Sequence, residues 1–392
     1  MKKAILAIVA LIALASWSTT ALAEWSNELE FEFKYFFSGP QFPEQERHAP
    51  SIAFTPKWSH TSDSGKHVYD FQAFARYDAS DDERTHIDLN ELSWTFADNN
   101  WEVKAGVSKV FWGVAETLHL VDIVNQTDAV DRLDGEIKLG QPLFSFSKFT
   151  DFGSFDALIL PFFRERTFAG EQGRLRSALV VDTDSAIFES SSEENHVDFA
   201  LRWSHSIGAW DIGLSYFDGT GREPVLRPNE ESTALLPFYV QIEQLGIDVQ
   251  ATFDEWLLKL EAISRSASSE FPEQDFDALV TGFEYSFFDI AASGADIGVV
   301  IEYLYDSREG AVTFDDLVIV AFRLALNDEQ STDLLLGCGV DGSFCFLEGS
   351  RRINDVLSLS LRGNSFSNID DDNVFASQRD DDFMQVNLKY FF

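Results

Sequence analysis

Residues 112–141 carry the densest set of chemistry-bearing side chains in the chain. Asp122, Asn125, Asp128, Asp131 and Asp134 recur at every third position, among Trp112, Glu116, His119, Arg132 and Glu136. Oxygen donors at that density can bind a hard cation, set the electric field of a narrow water path, or stay solvated in a loop that covers a mouth. Their spacing is not that of an EF-hand calcium loop, so no metal site is expected. Leu118, Leu120, Val121, Ile123 and Val124 lie in the same stretch and would be costly in water. A segment with both characters suits a loop folded into a cavity, its apolar side on the wall and its acids on the water. His119, standing alone, reads as a satisfied polar residue rather than a ligand or a base.

Covalent chemistry finds little support. Ser204, His205 and Ser206 form the one tempting nucleophile cluster, but neighbouring strand residues point to opposite faces. His205 therefore cannot pair with Ser206. No catalytic residue and no cofactor are expected. The formal net charge of -37 argues against nucleic acid as a partner.

The elements that would position these residues alternate with period two. In residues 383–392, Met384, Val386, Leu388, Tyr390 and Phe392 alternate with Gln385, Asn387 and Lys389. Near residue 24, Trp25, Leu29, Phe31, Phe33, Tyr35 and Phe37 share one strand face, and Glu28, Glu30, Glu32 and Lys34 the other. Similar strands recur along the chain, about eighteen in all, with sixteen as the fallback. Short polar turns alternate with longer charged loops. Residues 235–253 read as one strand, residues 79–84 as a charged loop and residues 164–195 as a long polar loop.

Ahead of the strands, Lys2 and Lys3 precede an apolar run over residues 4–15 and the small-residue site Ala21-Leu22-Ala23. That pattern predicts a secretory signal peptide over residues 1–23 with cleavage before Glu24. The apolar run is too short to span a bilayer as a helix. An exported chain whose greasy segments all alternate can sit in lipid only as a closed barrel, because every backbone N–H and C=O must be paired there. The expected fold class is therefore all-β, a closed antiparallel transmembrane β-barrel over residues 24–392, with residues 112–141 folded into its lumen. Rows of charge would face the lumen: Glu28, Glu30, Glu32, Arg76, Arg202, Lys259, Glu261 and Arg265. Cys338 and Cys345 flank Asp341-Gly342; a two-residue hairpin turn there would oppose them directly, within disulfide reach.

The aromatic end of the last strand, from Phe383 to Phe392, resembles the carboxy-terminal signature of bacterial outer-membrane β-barrels. That resemblance implies recognition by the barrel assembly machinery and closure against the first strand. Trp112-Gly113, then Asp122, Asn125 and Asp128, then Leu139-Gly140-Gln141-Pro142 resemble a largely uncharacterised group of proteobacterial outer-membrane barrels of porin type. It implies transport without a defined substrate. The expectation is an outer-membrane channel for small solutes with a cation preference, embedded in lipid and open to homo-oligomerisation. The alternative is a transporter for a hydrophobic small molecule or lipid, gated by residues 112–141 and served by lumen-facing apolar residues such as Phe74 and Val300.

Overall fold

The structure, a computed structural model, describes residues 24–268, 270–308, 316–367, 369 and 376–392. The signal peptide expected over residues 1–23 lies outside the described residues.

The strands in chain order are β1 (Glu24–Phe36), β2 (His48–Thr61), β3 (His67–Asp78), β4 (Ile87–Asp98), β5 (Trp101–Ser108), β6 (Gln141–Thr150) and β7 (Gly153–Leu160). Then follow β8 (Ile187–Phe188), β9 (Asp198–Ile207), β10 (Trp210–Thr220), β11 (Val225–Pro228), β12 (Leu235–Tyr239), β13 (Gln241–Phe253) and β14 (Trp256–Ala267). The last are β15 (Phe276–Phe287), β16 (Asp296–Asp306), β17 (Leu317–Ala325), β18 (Asp333–Gly339), β19 (Phe344–Asn354), β20 (Leu357–Phe366) and β21 (Phe383–Phe391). All but β8, β11 and β12 belong to one 18-stranded antiparallel sheet. It closes on itself, because β1 pairs with both β2 and β21: Phe31 stands opposite Ile52 on one side and Leu388 on the other.

The alternation read from the sequence explains the closure. Phe31 and Phe33 are about half exposed, whereas Glu30, Glu32 and Lys34 between them are buried. The same inversion recurs on β14, where exposed Trp256 and Leu258 alternate with buried Lys259 and Glu261. An exterior of Phe, Leu and Trp with charge inside is the reverse of a water-soluble core. Two-residue turns such as Asn99-Asn100, Asp254-Glu255 and Asp355-Val356 join the strands at one end, and longer connections, among them residues 109–140, join them at the other.

Two expectations need correction. Residues 235–253 are not one strand. β12 leaves the barrel to pair with β11 and β8 in a separate three-stranded sheet, and the wall strand begins after Val240. Period-two patterning marks both halves equally, so the change of sheet is invisible to it. Residues 164–195 are also not a plain polar loop. Phe163 and Phe188 pack their rings on buried Tyr239, and Arg174, buried over the Phe36 ring, pairs with Asp381 at 2.5 Å.

Cys338 and Cys345 stand directly opposite on β18 and β19 and are bonded, with Cα atoms 4.1 Å apart. The bridge encloses few residues, so reduction should cost about 2–3 kcal/mol. Thermal unfolding of the intact barrel should shift by a few degrees on reduction and remain a single transition. A lost barrel would mean that the hairpin holds far more than its own loop.

Candidate functional site

Residues 109–140 connect β5 to β6, and their near edge is apolar. Val121, Ile123 and Val124, each at most 5% exposed, pack with Leu143, Leu158, Phe217, Ile242, Ile263 and Phe276 from the wall. Ala115 packs with Val280, Leu304, Leu317 and Ile319, against which Leu118 and Leu120 also rest. Burying each Val or Ile is worth about 1.5–3 kcal/mol, which accounts for an apolar run within an acidic connection.

Two wall carboxylates receive the backbone of this edge. Glu261, fully buried, accepts N–H groups from Val114 at 2.7 Å, Ala115 at 2.8 Å and Val121 at 3.2 Å. Glu302 accepts from the N–H groups of Glu116 and Thr117 and from the Thr117 hydroxyl at 2.6 Å. Gly113 makes the approach possible. Its φ is +138°, and a Cβ there would stand 2.8 Å from Glu261 Oε1. Behind this edge, Arg222 donates to the Val124 carbonyl and pairs with Asp198 at 2.8 Å.

The acids at every third position divide by role. Asp122 accepts from the Trp112 N–H and pairs with Lys138 at 3.3 Å. Asn125, fully buried, accepts from the Val110 N–H and donates to the Ser108 and Leu139 carbonyls. Asp128 accepts from the Thr167 hydroxyl and faces His86 at 3.5 Å. Asp122 and Asn125 hold the segment's own shape, and Asp128 ties it to the connections that carry Thr167 and His86. The next two reach outward from it. Asp131 meets Arg76 at 3.2 Å and Arg84 at 2.9 Å. Asp134 meets Arg362 and Arg132, each at 2.5 Å, and Arg132 also reaches Glu348 on β19 at 2.7 Å. Glu116 meets Arg323 at 2.6 Å and Lys259 at 3.3 Å. Burial alone would raise the Asp131 carboxyl, but the Arg76 and Arg84 guanidiniums hold it below the usual range. Asp134 is likewise held low, against its burial, by Arg362 and Arg132.

Between this far edge and the wall is a cavity of about 540 Å³. Six carboxylates line it (Glu30, Glu32, Glu116, Asp131, Asp333 and Glu348), and so do six cations (Arg76, Arg84, Arg132, Arg323, Arg362 and Lys389). Lys389 pairs with Glu28 at 2.7 Å and Glu30 at 3.3 Å. A second space of about 470 Å³ includes Gly113, Ser154, Arg202, Ser204 and Asp248. There Arg202 makes a two-pronged pair with Asp248 and lies 5.3 Å above the Trp112 ring. Arg265 stands apart from both, bonded to Gln244 and Gln274.

Arg84, Arg362 and Arg222, which contact the segment, were not legible as residues of this site. Arg84 is the lone base closing Asp81-Asp82-Glu83-Arg84, a run that reads as a solvated loop, yet it is only 6% exposed and joins Glu32, Asp78 and Asp131. A single guanidinium ending an acidic run is the one local signal that could have marked it.

His119 ties the two edges together. Its Nε2 lies 3.2 Å from Glu136, its Nδ1 3.7 Å from Glu261, and its ring meets Phe111 edge-on. Burial opposes its charge, but the two carboxylates prevail and raise its pKa from 6.5 to about 10. A raised folded pKa contributes stability that is complete below the unfolded value and is lost as pH rises through the folded one. Proteolysis within residues 112–141 should therefore be slowest below about pH 6.5, accelerate steadily from there to about pH 10, and level off above it. His119→Gln should abolish that step, and a step that survives the substitution would assign it to another group.

No family model and no curated protein match the chain. Among solved structures, Wzi of Escherichia coli, described as an outer-membrane protein involved in group 1 capsule assembly and a carbohydrate-binding β-barrel, is similar. Its TM-score is 0.53 at 10% identity, over 99% of this chain and 87% of that one. A variant of the Rh. blastica porin matches with a TM-score of 0.47 at 14% identity, over 95% of this chain and 100% of that one. The shared feature is the fold, that of outer-membrane barrels.

Proposed function

We propose that this barrel is an outer-membrane channel for small hydrophilic solutes, narrowed by residues 112–141 crossing its lumen. The observation that carries this is the two-edged docking of the segment. One edge is bound to wall residues of β14 and β16, and the other is ion-paired to Arg76 on β3 and Arg362 on β20. Those anchors lie on the wall face that alternates with the exposed aromatic one. A water path bounded by fixed charges of both signs favours polar solutes over apolar ones. The acidic excess of the whole chain favours cations in the approaches, while the cavity itself is balanced. The apolar exterior fits membrane lipid, the alternating aromatic strand β21 fits recognition by the assembly machinery, and homo-oligomers are compatible with both.

A second reading has one observation behind it. The Leu304–Leu317–Ile319 cluster is an apolar patch of the inward face that Ala115, Leu118 and Leu120 of the segment cover, which suits a transporter of a hydrophobic small molecule or lipid gated by the segment. Planar-bilayer recordings of the refolded protein separate the two. Stable steps in salt alone support the channel. Silence, together with a copurified apolar molecule in the mass spectrum of the extract, supports the transporter.

A further inference from the structure

The second space, of about 470 Å³, lies between Gly113-Val114 of the segment and the short turns that join β6 to β7 and β9 to β10. Its size is that of an ordinary small-molecule site. An aromatic ring faces into it. Phe149 stands opposite Ser154, Ser154 opposite Ser204, Ser204 opposite Gly213, and Gly213 opposite Asp248. Directly opposed residues share a face, so Phe149 points into the lumen on the same side as the Arg202–Asp248 pair. It is 47% exposed there. Hydroxyls line the same space: Ser154 and Ser204 lie 3.4 Å apart, and Ser206 donates to Asp211 at 2.5 Å. Ser206 and Asp211 are exposed, and Ser154 and Ser204 partly so, which leaves these groups open to a solute. The charges around the space do not cancel. Arg202 is taken up by Asp248, Lys259 by Glu116, and His119 by Glu136 and Glu261. Asp211, and Asp156 opposite Arg202, hold serine hydroxyls and no ion pair among the described residues. A solute that carries positive charge is therefore favoured here.

We propose that this space binds amino sugars, saturated hydroxyl-bearing rings that carry an ammonium group. The apolar face of the ring would lie on Phe149, its hydroxyls would exchange hydrogen bonds with Ser154 and Ser204, and its ammonium would meet Asp211. A neutral sugar lacks the last of these contacts. A small ammonium ion lacks the first two, and a sugar acid brings a carboxylate to an acidic wall. The assignment deepens the channel reading and rests on it for passage of the solute, not for binding.

Isothermal titration of the refolded protein in detergent reads binding without transport. The probes are D-glucosamine, D-glucose, ethanolamine and D-glucuronate, at about pH 6, where amines are protonated. Glucosamine should bind saturably and roughly fivefold tighter than glucose or ethanolamine, with glucuronate the weakest of the four. Phe149→Ala should weaken both glucosamine and glucose roughly fivefold. Asp211→Asn should bring glucosamine down to the affinity of glucose. Both side chains are exposed, so the barrel should fold in each variant. No saturable heat from glucosamine, glucose binding as tightly as glucosamine, or both sugars unchanged in Phe149→Ala would overturn the assignment. Bilayer conductance is read separately. A conducting protein that ignores glucosamine keeps the channel and loses the sugar site; a silent protein that binds it does the reverse.

Discussion

Replacing Glu261 with Ala should free the segment from the wall while leaving the barrel closed. Glu261 is fully buried and is the shared acceptor for three backbone N–H groups, with the His119 imidazole close by. Its loss leaves those donors without an acceptor at about 1–3 kcal/mol each, and about 3–5 kcal/mol is the usual result of breaking a buried charge contact from one side. The strand itself loses nothing in its ladders, since β14 stays paired with β13 and β15 along its length. The cost therefore falls on residues 113–121. Protease should cut within the segment, and single-channel conductance should rise several-fold. Glu261→Gln keeps an acceptor and should have a smaller effect. A segment that stays resistant in Glu261→Ala, with unchanged conductance, would mean that the apolar contacts of Val121, Ile123 and Val124 hold it alone.

Replacing Arg84 with Met should change both stability and selectivity. Arg84 neutralises Glu32 at 2.7 Å, Asp78 at 2.7 Å and Asp131 at 2.9 Å, and it is buried among them. Those carboxylates hold its guanidinium well above its ordinary pKa, against the effect of burial. Without it, Glu32 and Asp131 keep Arg76, while Asp78 keeps no ion pair among the described residues, an imbalance on the order of 3–5 kcal/mol. The cavity lining would go from six cations against six carboxylates to five against six. The heat-induced unfolding temperature should fall, and the reversal potential in a salt gradient should move toward cations. Arg84→Lys keeps the charge but not the fork geometry and should lie between. An unchanged reversal potential would place Arg84 away from the solute path.

The barrel was legible because its physics is local. Whether Phe31 faces out and Glu32 in is decided by parity along one strand, and eighteen alternating segments could be counted without knowing their partners. The same local rule failed where a strand changes partners, at Val240. The apolar and acidic characters of residues 112–141 were equally legible, as was the pairing of Cys338 with Cys345, which depends on one short turn. What was not legible is which acid meets which base. Arg84 and Glu32 are 52 residues apart, Arg362 and Asp134 are 228 apart, and nothing in either neighbourhood specifies the other. Spacing also could not separate Asp122 and Asn125, which hold the segment's own backbone, from Asp128, which meets neighbouring connections, or from Asp131 and Asp134, which reach the wall. All five obey one period, and only closure of the barrel distinguishes them.

The central claim is that residues 112–141 narrow a water-filled path. The measurement that tests it most directly is planar-bilayer conductance of the refolded protein in a salt gradient, with and without residues 113–139. The intact protein should give stable steps, and the shortened protein should give larger steps with weaker selectivity, because the carboxylates of Asp131, Asp134 and Glu116 leave with the segment. Steps of the same size and selectivity in both proteins would contradict the claim and place the segment outside the path of the solute.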